Sequence, residues 1–142
     1  MLFACTMNAV RSPMAAAIFS HLTGKQVRVS SAGVRPGRTD PYMIAVMDEI
    51  GIDLSEHEPQ PLEQVGDGVF DLIVTLSPEA HHHALEFTRI MPADVEYWPT
   101  LDATAFDDNV PREVLISRYR QVRDELFRKI KQRFGRDSGP TV

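Results

Sequence analysis

Residues 2–13 read LFACTMNAVRSP, and this stretch decides the fold because a strand, a loop and a helix start follow one another within it. Its first three residues are apolar and end at Cys5, as expected of a short buried strand. A helix-favouring apolar run covers residues 14–22 and closes at Gly24. We therefore predict a strand whose carboxyl end leads into an irregular loop and then into a helix.

The remainder of the chain repeats this alternation of strand and helix. Alternating or apolar runs predict three more strands, at residues 27–30, 70–76 and 95–98. Further helices are predicted to start at Asp40-Pro41 and Ser77-Pro78, and a long one covers residues 110–134. Strands separated by helices are typical of βαβ units. We expect a three-layer α/β domain with a four-stranded parallel sheet and the first strand in its interior.

Turn signals complete this outline. Ala32-Gly33 is predicted to turn out of the second strand, and residues 56–68, which are rich in Pro and Gly, are predicted to form a loop. A length of 142 residues fits one core. We expect a single domain over residues 1–134, followed by a flexible tail over residues 135–142.

Composition excludes several classes of partner. The net charge is −5, and the basic residues are dispersed until the last helix, which argues against nucleic acid or an anionic membrane as the main partner. An apolar run of about 18 residues, as a transmembrane helix needs, is absent from the sequence. We expect a cytoplasmic protein. One cysteine permits neither an intramolecular disulfide nor a cysteine-based metal cluster, and we predict no cofactor and no metal.

The loop after the first strand has the properties of an anion cradle. Ligands of open α/β sheets lie beyond the carboxyl ends of the strands, which is where Cys5 is predicted. Successive backbone N–H groups in such a loop, together with those of the helix start, can point at one anion. Their positive field favours a thiolate, which is a competent nucleophile toward phosphorus. The predicted oxyanion-binding residues are Thr6, Met7, Asn8, Ala9, Val10, Arg11 and Ser12.

Individual side chains of this loop suit phosphoryl chemistry. Arg11 can hold two phosphoryl oxygens with its planar guanidinium group. Ser12 can donate a hydrogen bond to the thiolate, and Asn8 tolerates the left-handed backbone that a tight loop needs. Pro13 is acceptable in the first helical turn, where an N–H group is not required. We therefore predict Cys5 as nucleophile and Arg11 as the phosphoryl-binding side chain.

The Cys-x5-Arg-Ser string resembles the signature of the low-molecular-weight protein tyrosine phosphatases and of their relatives, the thioredoxin-coupled arsenate reductases. Asn8 and the following Ser12-Pro13-Met14-Ala15 agree with that signature, as do Ser30-Ser31-Ala32-Gly33, Gly51-Ile52-Asp53 and the long last helix. The resemblance implies a phosphotyrosine phosphatase I-like fold with a flavodoxin-like arrangement. It also implies hydrolysis of phosphomonoesters or phosphoproteins through a cysteinyl-phosphate, with phosphate, sulfate or arsenate as oxyanions of the loop.

The resemblance also implies roles outside the loop. Ser31 is expected to donate or accept a hydrogen bond with Asn8 and so to maintain the loop. Asp102 lies where the family has its general acid, although Ala103 stands in place of the usual proline. The alternative is that Asp102, like Asp107 or Asp108 nearby, is only a solvated loop residue. Asp40-Pro41-Tyr42 spells the family's acid motif, yet its position before a predicted helix is explained by an N-cap.

Several positions depart from the family pattern. Val10 stands where many of the phosphatases have a second cysteine, and Ser77 stands where the arsenate reductases have a relay cysteine. Met7 replaces a glycine of the loop. Residues 103–105 read ATA where tyrosine-specific members have aromatic residues, and Phe106 is the first aromatic residue. The pattern that goes with phosphotyrosine preference is therefore missing here, although Trp98, Tyr42 or Phe106 could line the mouth of the site.

The histidines are not expected to hold a metal. Consecutive helical residues point about 100° apart, so His81, His82 and His83 cannot share one tetrahedral ion. His57 has no partner that the sequence identifies.

Three functions are consistent with these residues. The first is a low-molecular-weight phosphatase with Cys5, Arg11 and Asp102 as catalytic residues. The second is an arsenate reductase that resolves its cysteine–arsenic adduct with an external thiol such as glutathione with glutaredoxin. The third is an oxyanion-binding module without turnover, suggested by Met7 and Ala103.

Overall fold

A computed structural model describes residues 1–24, 26–65, 70–89, 92–105 and 109–135. The strands in these ranges are β1 (Leu2–Cys5), β2 (Ser30–Gly33), β3 (Leu72–Thr75) and β4 (Asp94–Tyr97). The helices are α1 (Arg11–Leu22), α2 (Pro41–Asp48), α3 (Leu62–Val65), α4 (Pro78–Phe87) and α5 (Arg112–Phe134).

The four strands form one parallel sheet in the order β2-β1-β3-β4. The predicted parallel sheet with β1 in its interior is thereby confirmed. The chain leaves β1 to form β2 on one side and then crosses to form β3 on the other, so the strand order reverses beside β1. Crevices at such a reversal are where open α/β sheets bind ligands, and Cys5 is the last residue of β1.

Side-chain alternation along β1 divides the core into two layers around the sheet. Phe3 packs with buried residues of α1, α2 and α5 on one face, and Leu2 and Ala4 pack with those of α3 and α4 on the other. Successive side chains of a strand point to opposite faces, so Cys5 lies on the face of Phe3. The expected three-layer α/β architecture is therefore observed.

The second strand lies three residues later than predicted. Ser30 pairs with Leu2, and Gly33 pairs with Cys5, so the predicted turn at Ala32-Gly33 is wrong because both residues belong to β2. Val27 alternates with Val29 in sequence, but it precedes the residues that pair with β1 and is 46% exposed. The residues of β2 are fixed by their hydrogen-bonded pairing with β1, and the alternation of apolar and polar residues in the sequence does not reveal that pairing.

The loop predicted over residues 56–68 contains a helix, α3, whose Leu62 is buried against the sheet, and residues 66–68 lie outside the described residues. The predicted helix starts at Pro41 and Pro78 are confirmed. The Asp40 carboxylate accepts hydrogen bonds from the N–H groups of Tyr42 and Met43, and the Ser77 hydroxyl accepts one from the N–H group of Ala80.

Across the described residues, none of the helices combines the length and apolarity that crossing a membrane would require. Of the predicted tail, residues 136–142 lie outside the described residues.

Candidate active site

The loop between β1 and α1 closes around the Cys5 sulfur. The Asn8 N–H group donates to Cys5 Sγ over 3.2 Å, and Ser12 Oγ lies 2.9 Å from the same sulfur. Asn8 adopts the left-handed backbone conformation, with φ of 53°, which turns its N–H group inward. Cys5 is 2% exposed. The sulfur therefore lies at the floor of the loop with two polar partners.

Asn8 is the centre of the hydrogen-bond network that shapes this loop. Its amide Nδ2 donates to Ser12 Oγ over 2.7 Å and to Ser31 Oγ over 3.0 Å. Because Ser12 Oγ accepts that bond, its own proton is available to Cys5 Sγ, and the competing acceptor, the carbonyl of Ala32, is 3.5 Å away. The bond between Asn8 and Ser31 that the family resemblance implies is present.

Two residues that sequence reasoning missed complete the network. The N–H group of Gln60 donates to Asn8 Oδ1 over 2.9 Å, and Gln60 Nε2 donates to the Ser31 carbonyl over 2.8 Å. His57 Nε2 lies 2.8 Å from the Asn8 carbonyl, and it must carry a proton because a carbonyl only accepts. These partners are about 50 residues from Asn8 in sequence, and their local sequence contains no signal for the contact.

The segment after β2 supports the loop through its backbone. The N–H groups of Val34, Arg35 and Gly37 donate to the carbonyls of residues 5, 6 and 7 over 3.2, 2.8 and 2.9 Å. Gly33 permits this close approach, since a Cβ atom there would lie 2.7 Å from the backbone nitrogen of Asn8. A glycine at position 33 is therefore a packing requirement of the loop.

Arg11 is the first residue of α1 and is 8% exposed. Its NH1 donates to the Thr100 carbonyl over 3.2 Å, and its NH2 lies 3.9 Å from Asp102 Oδ2. The guanidinium group is thus oriented by the segment after β4. The N-cap residue of α1, Val10, offers no side-chain hydrogen bond, so the first amides of the helix have no side-chain cap.

Only one oxygen of the Asp102 carboxylate accepts hydrogen bonds from the described residues. Its Oδ1 accepts hydrogen bonds from the N–H and the hydroxyl of Thr104, over 2.9 and 2.6 Å. Its Oδ2 has Arg11 as its neighbour, and the side chain is 38% exposed. Ala103, which replaces the expected proline, is fully buried in the core and anchors the segment. Phe106, Asp107 and Asp108 lie outside the described residues.

Asp40 has a different set of partners. One oxygen caps α2, as predicted, and the other accepts a hydrogen bond from the Tyr119 hydroxyl over 2.7 Å. Burial, with the Asp40 carboxylate beside it, raises the pKa of Tyr119 well above its ordinary value. Tyr119 is therefore a constant donor to Asp40, a contact that the sequence did not reveal.

A cavity of about 520 Å³ opens above the loop, within the size range of small-molecule sites. Its floor includes Cys5 and Arg11. The remainder of its wall is contributed mainly by Met7, Arg38, Asp40, Tyr42, Asp102 and Tyr119. Tyr42 therefore lines the mouth as predicted.

Trp98, another predicted lining residue, belongs to the core and packs against Phe3 and Phe134, with ring centroids 6.2 and 6.1 Å apart. Its indole therefore faces the core because it fills the space between the sheet and the end of α5.

Thr6 and His81, two residues discussed in the sequence analysis, are not among the residues that line this cavity. The Thr6 hydroxyl donates to Ser77 Oγ over 3.0 Å, so the side chain of Thr6 is turned toward α4. His81 lies 3.0 Å from the Thr75 hydroxyl and stacks on Tyr97. Within the described ranges, no group of three His, Cys, Asp or Glu side chains is placed to hold a metal ion.

Sequence comparison places these features in a known context. The sequence model described as low molecular weight phosphotyrosine protein phosphatase matches residues 1–136. The chain belongs to this family. A curated relative, arsenate reductase 2 of Staphylococcus saprophyticus, is 33% identical over 132 residues, which cover 92% of each chain. The chain is thus an enzyme of this family, in which relatives are named for arsenate reduction as well as for phosphatase activity.

Solved structures show the same division. An arsenate reductase in the phosphate binding state is 25% identical, with a TM-score of 0.74 and 92% of each chain covered. The YwlE arginine phosphatase, carrying a phosphorylated active-site serine, is 28% identical with a TM-score of 0.74, covering 92% of this chain and 90% of that one; YwlE is a Bacillus subtilis protein. The low-molecular-weight phosphatase fold is therefore shared by both kinds of enzyme.

Proposed function

We propose that this family member is a phosphomonoesterase that acts through a cysteinyl-phosphate. The observation that carries the proposal is that one cavity holds a buried thiol, an arginine beside it and a carboxylic acid. The sulfur accepts hydrogen bonds from Asn8 and Ser12, and Arg11 and Asp102, whose side chains are 3.9 Å apart, line the same cavity.

In the first step, the Cys5 thiolate attacks phosphorus and the bond from phosphorus to the ester oxygen breaks. The loop amides and Arg11 stabilise the charge on the three remaining phosphoryl oxygens. Asp102, in its protonated form, donates its proton to the departing oxygen, which leaves as an alcohol. The products of this step are a thiophosphate ester on Cys5 and an ionised Asp102.

In the second step, the ionised Asp102 accepts a proton from water, and that water attacks phosphorus. The sulfur–phosphorus bond breaks, inorganic phosphate leaves, and Cys5 returns to the thiolate. Ser12 assists this departure, since its proton is directed toward Sγ while Asn8 occupies its acceptor site. The cytoplasm, where phosphoproteins and small phosphate esters both occur, is the expected location of the reaction.

The test is hydrolysis of para-nitrophenyl phosphate at mildly acidic pH by the wild type, Cys5→Ser and Arg11→Lys. Turnover should disappear in Cys5→Ser and fall strongly in Arg11→Lys, which keeps the charge but loses the two-pronged contact. Arg28→Lys is the matched control for Arg11→Lys, because Arg28 is exposed and precedes β2, at the amino ends of the strands and outside the lining of the cavity. The proposal is wrong if folded, reduced wild-type protein has no activity on any aryl phosphate.

Phosphotyrosine and phosphoarginine should be compared as substrates in the same assay. The family is named for phosphotyrosine, and YwlE is named an arginine phosphatase. The half-buried Tyr42 ring lines the cavity and packs against the buried Tyr119 ring, with the ring centroids 5.5 Å apart, and an aromatic wall of this kind favours a flat leaving group. We therefore expect phosphotyrosine to be hydrolysed faster than phosphoarginine.

A second candidate is thiol-dependent arsenate reduction, favoured by the names of the curated relatives. Arsenate has the charge and shape of phosphate, so Cys5 could attack arsenic in the same loop with loss of water. Because the sequence holds one cysteine, the two electrons that reduce arsenic(V) must come from Cys5 and an external thiol together. Arsenite formation that requires glutathione and glutaredoxin, without phosphatase activity, would favour this candidate.

A further inference from the structure

Arg38 lines the cavity but has no role in the proposed mechanism. It lies in the segment between β2 and α2, its side chain is exposed, and it lines the same cavity as Cys5. Its neighbours on both sides are anchored, since Gly37 donates from its backbone to the Met7 carbonyl and Thr39 donates from its hydroxyl to the His57 carbonyl. Arg38 is therefore held at the rim of the cavity by the same network that shapes the catalytic loop.

The other charged groups of the cavity are already engaged. Arg11 contacts Asp102 and the Thr100 carbonyl. The Asp40 carboxylate accepts bonds from two N–H groups and from the Tyr119 hydroxyl. Arg38, in contrast, makes no hydrogen bond or ion pair with any other residue in the described part of the chain. One positive charge at the rim is thus left for a ligand.

The wall between the floor and Arg38 defines what the rest of that ligand resembles. Met7 contributes exposed apolar surface, and the half-buried Tyr42 ring, which packs against the buried Tyr119 ring, contributes an aromatic wall. Such walls suit an apolar, planar body. The phosphoryl group itself is provided for at the floor by Arg11 and the loop amides, so an anion at the rim must belong to another part of the substrate.

We propose that Arg38 binds a second anionic group carried by the leaving group of the substrate. The preferred substrates are then phosphomonoesters of aryl or similarly flat alcohols that bear a carboxylate or another negative group. The inference rests on the proposed function for its use in catalysis, but the binding of such ligands can be measured without turnover.

The test uses phosphonates, which fill the loop but cannot be hydrolysed. Dissociation constants of phenylphosphonate and of 3- and 4-phosphonobenzoate are measured by calorimetry for the wild type, Arg38→Gln and Arg38→Lys. The two isomers place the carboxylate at different distances from phosphorus. The control is Arg28→Gln. Arg28 is also exposed, but it lies before the start of β2, at the amino ends of the strands and away from the cavity.

The wild type should bind at least one phosphonobenzoate about threefold to tenfold more tightly than phenylphosphonate, as expected of an ion pair in a partly open cavity. This ratio should fall to about one in Arg38→Gln, be partly kept in Arg38→Lys, and be kept in Arg28→Gln. Added salt should reduce it, because the pair is accessible to solvent.

Two results would overturn the inference. One is a wild-type ratio of about one, or a ratio that Arg38→Gln does not change. The other is equal weakening of all three phosphonates by Arg38→Gln, which would place Arg38 on the phosphoryl group instead. If the protein gave either result but hydrolysed para-nitrophenyl phosphate, only the inference on Arg38 would be wrong. If the affinity ratio were as expected but the protein hydrolysed no phosphate ester, the role of Arg38 would stand and the proposed phosphatase function would be wrong.

Discussion

The segments after β2 and after β4 each bring one aspartate to the same cavity, but they hold it differently. In the segment after β2, both oxygens of Asp40 accept hydrogen bonds from fixed donors. In the segment after β4, Oδ1 of Asp102 accepts two hydrogen bonds from Thr104, whereas Oδ2 accepts none from the described residues and has only the ion pair with Arg11 at 3.9 Å. A general acid must exchange its proton with the substrate, so a carboxylate with an available oxygen is the better candidate.

The difference extends to what each segment supports. The segment after β2 is tied to the catalytic loop by three backbone hydrogen bonds and starts α2 through Asp40. The segment after β4 reaches the loop through Arg11, which donates to the Thr100 carbonyl. The first segment therefore stabilises the site, whereas the second carries the carboxylate that we propose as the general acid. Substitutions in the two segments should separate these roles.

Asp102→Asn should have the largest effect. Loss of the proposed general acid is expected to lower kcat by about 10²- to 10⁴-fold for phosphate esters with poor leaving groups, and by less for para-nitrophenyl phosphate, whose leaving group needs little protonation. Rates across a series of substituted phenyl phosphates would measure this steeper dependence. Equal losses for good and poor leaving groups would assign Asp102 only to the orientation of Arg11.

Asp40→Ala should mainly affect stability. It removes the cap of α2 and leaves the buried Tyr119 hydroxyl without its acceptor, so the free energy of unfolding should fall by about 2–4 kcal/mol. Urea unfolding would measure the loss. Asp40→Asn keeps the cap and should lose less than half as much. If Asp40→Asn instead abolished kcat without changing stability, the roles assigned to the two aspartates would be reversed.

Gly33→Ala tests the support given by the segment after β2. The added Cβ would lie 2.7 Å from the Asn8 nitrogen, and a backbone atom cannot move aside without moving the loop. We expect kcat/KM to fall by about tenfold or more, since small displacements of catalytic groups are costly. Gly24→Ala is the control: Gly24 has a φ of +68°, so alanine is strained there, but nothing lies within 4 Å of the new Cβ. It should lower stability without changing kcat/KM.

The smallest effect concerns the titration of Tyr119. Burial and the Asp40 carboxylate raise the pKa of Tyr119 in the folded protein. In the unfolded chain the tyrosine has a pKa of about 10. At pH values above this, the folded protein therefore keeps a proton that the unfolded chain has lost. Stability should therefore fall as the pH rises above about 10. Absorbance titration of the three tyrosines should show one that ionises late, and Asp40→Asn should make it ionise earlier. Tyr119→Phe should remove the late transition.

Much of the architecture could be predicted because its signals are local. The helix starts at Asp40 and Ser77 follow from capping chemistry within a few residues, and both are observed. The second strand was placed wrongly because its extent depends on pairing with β1, which the alternation of Val27 and Val29 does not report. For the same reason α3 was missed, since only burial of Leu62 against the sheet marks it.

The sequence by itself determined the alternation of strands and helices, the single thiol, and the loop in which Asn8 turns the backbone toward it. These properties depend on residues that are neighbours in the chain. The tertiary structure decided which carboxylate lies beside Arg11, that Gln60 and His57 hold Asn8, and that Arg38 lines the cavity without an internal partner. Such contacts join residues that are distant in sequence. They exist only because the strands are parallel, so that their carboxyl ends lie together at one end of the sheet.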